Sequence, residues 1–228
     1  MNKKLSASVQ WIVTVILGLG ALGLRLGLDA WAVDDKGLIR EGHICALLLW
    51  PVALAAVAVA VFPVKHRRSG SEKVLAAGSL LCALGLLSLL SGAGLKTALD
   101  GLWLGALLAS VAALVWEAVS RWRGKPVSVL VHGVGCVFLV LHLLTRYQMW
   151  CHEPQFVRYL YSLFGCLGIL IHSYCRACGD IGKPEPRLFR IVGLLAVFCC
   201  LAALPGSDAP GLYLGGGAWV LSGLEGRK

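Results

Sequence analysis

Charge is scarce in this sequence. Asp, Glu, Lys and Arg make up 14% of its 228 residues, against about a quarter in a soluble globular domain. Hydrophobic residues make up 58%, and the mean hydropathy is +0.78. This balance excludes an ordinary water-soluble domain. Long polar connections are missing too. Successive apolar runs lie within about twenty residues of one another, well short of the roughly 50 that an independent domain needs. Residues 1–228 therefore read as a single transmembrane domain. Catalytic signatures are also missing: there is no P-loop and no G-x-S-x-G, and His152-Glu153 runs into Pro154 instead of completing H-E-x-x-H. No motif supports an enzyme.

What the chain does have is a series of apolar runs. A bilayer core about 30 Å thick takes about 20 helical residues to cross, and a spanning helix satisfies its own backbone polar groups. Seven runs read as spans, at about residues 5–25, 44–64, 74–95, 98–118, 127–146, 158–175 and 190–206. An eighth, at 211–224, opens with Pro210-Gly211 and contains Gly215-Gly216-Gly217. Its length and its glycines suggest a stunted or re-entrant segment. The fold class is thus an all-α integral membrane protein, a polytopic bundle of seven to eight transmembrane helices.

The net charge of +9 does not point to nucleic acid, because the basic residues are distributed by loop. Alternate loops and the two termini carry Lys3 and Lys4; Lys65, Arg67, Arg68 and Lys73; Arg121, Arg123 and Lys125; Arg176, Lys183, Arg187 and Arg190; and Arg227 and Lys228. The opposite side has only Arg25, Lys36, Arg40, Lys96, Arg146 and Arg158, together with seven of the twelve acids. By the positive-inside rule the N-terminus is cytoplasmic in a multi-pass protein of the cell membrane, and the basic tail favours an even number of crossings. The lipid bilayer is the one partner the sequence implies. Ala30-Trp31-Ala32 resembles a signal-peptide cleavage site. The preceding apolar run, however, exceeds the usual core of about 7 to 15 residues, and Arg25 and Asp29 intervene. The first span is read as retained.

Three sets of residues suggest packing, and one suggests an internal repeat. Gly23-x-x-x-Gly27 and Gly101-x-x-x-Gly105 have the small-residue spacing that lets helix backbones approach closely. The eight tryptophans lie mostly near span ends, as an aromatic belt requires. Arg25 and Glu117 each stand one turn from an opposite charge, Asp29 and Arg121, near the span boundaries. The stretches at Gly23 to Trp31 and Gly94 to Trp103 share G-L-[R/K]-x-x-L-D, the pattern that a repeated helix hairpin would leave.

Two constellations carry chemistry. His132 on the fifth span and His172 on the sixth fall at similar depth near the cytoplasmic boundary, with Cys136, Cys175 and Cys178 nearby. Imidazole and thiolate are the ligands of zinc, copper and iron, so His132, His172, Cys175 and Cys178 form a candidate metal or haem site. A lone C-x-x-C lacks the second ligand pair of a zinc signature. On the other side, Asp34, Asp35, Glu41 and His43 in the first outer loop, with His142, form a candidate substrate-binding set for a cation or cationic solute. Three function classes fit, in this order: a small-molecule transporter or the substrate-binding membrane subunit of one; a metal- or haem-binding redox protein; and a non-catalytic assembly or regulatory membrane protein. The identity of any cofactor or protein partner is not legible.

Overall fold

A computed structural model describes residues 5–32, 43–65, 71–92, 97–150 and 156–225. These form eight α-helices: α1 Ala7–Gly27, continued by a π-helical turn Leu28–Ala32; α2 Ile44–Val61; α3 Glu72–Leu87, continued by a 3-10 turn Ser88–Gly92; α4 Ala98–Trp122; α5 Val129–Trp150; α6 Phe156–Asp180; α7 Pro186–Ala203; and α8 Pro210–Glu225. A two-residue parallel pairing, β1 Leu5–Ser6 with β2 Val64–Lys65, ties the start of α1 to the end of α2. Six of the helices are long and apolar enough to cross a membrane, which marks a multi-pass membrane protein. α6 and α8 are the two outside that set.

Local chemistry sets the helix limits. Thr97 and Asp100 form a reciprocal capping box at the start of α4, satisfying two backbone donors that the first turn leaves orphaned. Pro186 opens α7, where its missing N–H costs nothing. α4 and α6 both end on a left-handed glycine, Gly124 at φ 64° and Gly182 at φ 79°. In each case the next residue's N–H returns to a carbonyl of the last turn, Lys125 to Ser120 at 2.8 Å and Lys183 to Cys178 at 2.9 Å. This is the Schellman closure that glycine adopts without steric cost.

Consecutive helices run antiparallel. Gln10, at the start of α1, donates to the carbonyls of Val59, Ala60 and Phe62 at the end of α2. Glu72 at the start of α3 meets Arg121 at the end of α4, and His132 near the start of α5 meets Asp180 at the end of α6. The bundle therefore has a Glu117 end, which gathers the starts of α1 and α3, the ends of α2 and α8, and the α4–α5 and α6–α7 connections. Its other end is marked by Arg25, whose guanidinium donates to Pro205 O at 3.2 Å. The outward surface is apolar, with Leu130, Leu54 and Ile16 among the exposed side chains, whereas Gln10, Arg25, Glu117, His132, His142, His172 and Arg176 are buried. Apolar outside and polar inside suits hydrocarbon as the surrounding solvent.

α8 is a single uninterrupted helix, not a broken segment. It runs against α3 from the Gly85–Gly211 contact to the Gly78–Ser222 contact. At about 1.5 Å per residue it is about 24 Å long. Its glycines serve close approach: a Cβ added at Gly215 would lie 2.6 Å from Leu81 O, and one at Gly211 would lie 2.7 Å from Gly85 O. Packing of backbone on backbone offsets the poor helix propensity of the glycines. Of the four glycines in the expected spacings only Gly27 meets another helix, an added Cβ there lying 3.3 Å from Cys45 Sγ of α2. Added Cβ atoms at Gly23, Gly101 and Gly105 would meet nothing within 4 Å. The two halves of the sequence echo also differ, since Asp29 sits on the π-helical turn after α1 while Asp100 caps the start of α4.

Candidate functional site

Helices α3, α4, α5, α6 and α8 contact one another in a closed sequence, α3 on α4, α4 on α5, α5 on α6, α6 on α8 and α8 on α3. At the centre of this ring is a cavity of about 30 Å³, lined by Cys82, Ser110, His132, Ser173 and Trp219 among others. Leu86, Leu114, Phe138, Leu139, Ile169 and Leu212 complete its walls. That volume holds about one water molecule. α1, α2 and α7 pack outside the α6–α8 face. A larger groove of about 500 Å³ opens between α2, α6 and α7, with a lining that is almost wholly apolar, including Trp50, Phe164 and Phe198.

The Glu117 end of the ring is closed by charge. Glu117 is fully buried. Its Oε1 accepts from Arg176 Nη2 at 2.7 Å and from Arg121 Nε at 2.8 Å, while its Oε2 accepts from Trp219 Nε1 at 3.2 Å. Arg176 is 2% exposed, and its guanidinium lies 4.7 Å from the centroid of the Trp219 ring. Arg121 continues outward to Glu72 at 3.3 Å. Removing a carboxylate from water costs several kcal/mol, roughly, unless paired charges and hydrogen bonds satisfy its lone pairs. Two guanidinium groups and an indole N–H do so here. α4, α6 and α8 must converge for this to happen, so the network fixes their mutual rotation.

Two histidines flank the same indole. The rings of His132 and His172 lie 6.2 Å and 5.7 Å from the Trp219 ring. His132 Nε2 is 3.0 Å from Asp180 Oδ2, and its backbone carbonyl accepts from Ser173 at 3.3 Å. His172 stacks on Phe189 at 4.3 Å. Cys175 is buried and Cys178 half-buried. Cys136 Sγ is directed at Leu170 O. Among the described residues no group of three or more His, Cys, Asp or Glu side chains is placed to hold a metal ion.

The substrate-binding set divides. Asp34, Asp35 and Glu41 lie outside the described residues. His43 caps α2 through Nδ1, which accepts from Cys45 N at 3.3 Å, and α2 packs on α1 and α7. His142 is on α5, which packs on α4 and α6, so the two histidines belong to different parts of the bundle. His142 Nδ1 accepts from Trp103 Nε1 at 3.3 Å, which places the ring proton on Nε2. That buried Nε2 has no hydrogen-bond partner among the described residues. Phe138 packs beside the ring, 5.7 Å away. Near the Arg25 end, Arg146 pairs with Asp208 at 3.2 Å.

Sequence reasoning placed Arg176 in a loop and Glu117 and Trp219 near span boundaries; all three are buried in the ring's central network. One signal for Arg176 was present, its position four residues after His172 on the same helical face. For Trp219 the sequence offers none, because an interfacial tryptophan and a buried one look alike in an apolar run. Arg25 is buried, with its guanidinium 5.6 Å from the centroid of the Tyr161 ring. Trp31, Trp50, Trp116 and Trp122 are exposed, as the belt reading requires.

No protein-family model matches this chain, and neither a curated protein nor a solved structure is detectably similar to it.

Proposed function

We propose that the protein is a small-molecule transporter, or the substrate-binding membrane subunit of one, with the five-helix ring as its translocation unit. The observation that carries this reading is the buried Glu117–Arg176–Arg121 network at one end of the ring. Ionisable side chains inside a membrane bundle mark solute and ion pathways, because hydrocarbon penalises them and an apolar core of the same volume is easier to build. The network stands where a gate would stand, closing a narrow central cavity against one face of the membrane. His142, whose Nε2–H is a donor without an acceptor among the described residues, is the candidate substrate contact on the opposite side. Asp34, Asp35, Glu41 and His43 are candidates for substrate contact from the sequence alone.

In this reading all eight helices cross the bilayer, and the Glu117 end is cytoplasmic. The sequence supports this orientation, since fifteen of the 21 Lys and Arg residues fall in one alternating set of loops and termini, as the positive-inside rule requires. The apolar outer surface, with its groove between α2, α6 and α7, is in contact with lipid.

Ligand-induced stabilisation tests the reading without a known substrate. A solute held at about 100 times its Kd raises stability by about 2.7 kcal/mol, or on the order of 5 °C in Tm for a chain of this size. Purified protein is screened against sugars, amino acids, nucleosides, vitamins and organic cations. The expected result is a solute class that stabilises the wild type and not His142→Ala. Stability that no small solute alters favours an assembly or regulatory role instead. The metal- or haem-binding alternative draws no support from the positions of His132, His172, Cys175 and Cys178.

A further inference from the structure

We propose that the groove between α2, α6 and α7 is a specific site for one anionic phospholipid, with an acyl chain in the groove and the phosphate on Arg187 and Arg190. The proposal rests on the membrane setting of the bundle and not on the transporter reading.

The first observation is the shape of the groove. Its volume is about 500 Å³, and it runs from Val57, Ile171 and Val192 towards the Glu117 end to Ala46, Leu160 and Cys199 towards the other. Residues 46–57 of α2 and 160–171 of α6 line it; at about 1.5 Å per residue each stretch covers about 16 Å. That is about half of a bilayer core about 30 Å thick, so a chain laid along the groove belongs to one leaflet. The lining is almost wholly apolar and offers a polar solute little to bind.

The second observation is charge at the Glu117 end. Arg190 stands two residues before Val192 on α7, and its Nη2 donates to Phe62 O, just past α2, at 3.5 Å. Its guanidinium thus bridges two of the helices that bound the groove. Its Nε is buried with no hydrogen-bond partner among the described residues. Arg187, one turn earlier, is exposed. Among the described residues no carboxylate pairs with either arginine. Glu185 is the N-cap of α7 but makes no side-chain cap, and the first turn has no acid. Two cations at a helix N-terminus oppose the macrodipole, and both guanidinium groups retain donors suited to phosphate. The uncapped N–H groups of the same turn add further donors for an anion. A phosphate held here delivers its acyl chains to the hydrocarbon at the level of Val192, where the groove begins. In the orientation proposed above this is the cytoplasmic leaflet, which carries anionic lipid.

Native mass spectrometry of the full chain, released from detergent micelles, counts the lipids that stay bound. The probes are phosphatidylglycerol and phosphatidylcholine with the same acyl chains. The expected result is one retained phosphatidylglycerol, bound at least tenfold more tightly than phosphatidylcholine, with the preference lost in Arg187→Gln/Arg190→Gln. Arg187→Gln alone, at an exposed position, should weaken the preference at least threefold, which covers a double variant that does not fold. Arg123→Gln/Lys125→Gln removes two exposed cations from the end of α4 and the connection after it and should leave the preference unchanged. Equal retention of the two lipids overturns the proposal. So does a preference that survives the Arg187 and Arg190 changes, or one that falls equally in Arg123→Gln/Lys125→Gln. Displacement of the lipid by inorganic phosphate would show a site for a free anion, and a dimer without lipid would show a second copy of the chain on the groove; either result overturns the proposal.

Discussion

Arg176 Nη2 donates to Glu117 Oε1 at 2.7 Å across 59 residues of sequence, and their side chains are 2% and 0% exposed. Removing Arg176 takes from the buried Glu117 carboxylate one of its two guanidinium partners and leaves it to Arg121 and Trp219. Arg176→Met is expected to destabilise the protein by about 3–5 kcal/mol. In the double variant Glu117→Leu/Arg176→Met that carboxylate is absent as well. Its cost should fall short of the sum of the single variants by up to about 3 kcal/mol. Reversible unfolding in mixed micelles checks both figures, and strictly additive costs would show that the pair is not coupled.

Trp219 serves Glu117 through one atom. Trp219→Phe keeps most of the ring area but removes the Nε1–H that meets Glu117 Oε2. A hydrogen bond to a charged group is worth about 1.5–3 kcal/mol, and the loss should appear as a lower Tm of the purified variant. An unchanged Tm would mean that water replaces the indole donor.

The glycines separate into two groups with opposite predictions. Gly215→Ala places a methyl 2.6 Å from Leu81 O, so α8 must move off α3, at a cost of about 1–3 kcal/mol for overpacking. Gly101→Ala meets nothing within 4 Å. It should be neutral or should stabilise by up to about 1 kcal/mol through helix propensity. Thermal unfolding of the two variants side by side checks the contrast.

The metal reading makes a prediction of its own. With His132 directed to Asp180 and His172 stacked on Phe189, purified protein should contain no stoichiometric zinc, copper or iron that is lost in a His132→Ala/His172→Ala variant. Elemental analysis and a visible absorption spectrum decide this. A stoichiometric metal or a haem band that disappears in the double variant would move the redox reading ahead of transport.

The helices were legible because hydrophobicity accumulates over some twenty residues, and the short connections between successive runs are consistent with the packing of α5 on α6. Helix rotation was not legible. Arg176 was counted as a loop cation because charge near the end of an apolar run usually means water, whereas α6 continues to Asp180 and turns Arg176 inward to Glu117. Gly101-x-x-x-Gly105 and Gly211-x-x-x-Gly215 share one spacing, yet only the second meets a neighbouring backbone. That difference depends on which face of the helix turns to a partner, which a spacing of four cannot encode. Trp103 and His142 pair through α4 and α5, although they are 39 residues apart. Finding them from sequence would have required both helix rotations.

The most direct test of the transport account is the reactivity of native Cys82, which lines the central cavity. A membrane-impermeant methanethiosulfonate reagent is too large for about 30 Å³, so it reaches Cys82 only if the ring opens to solvent. Peptide mapping by mass spectrometry after labelling in membranes measures this, with fully buried Cys166 as the internal reference. The account predicts modification of Cys82 well ahead of Cys166. Two inert thiols would contradict it by showing a ring that stays shut, and equal modification would contradict it by showing general loosening of the bundle.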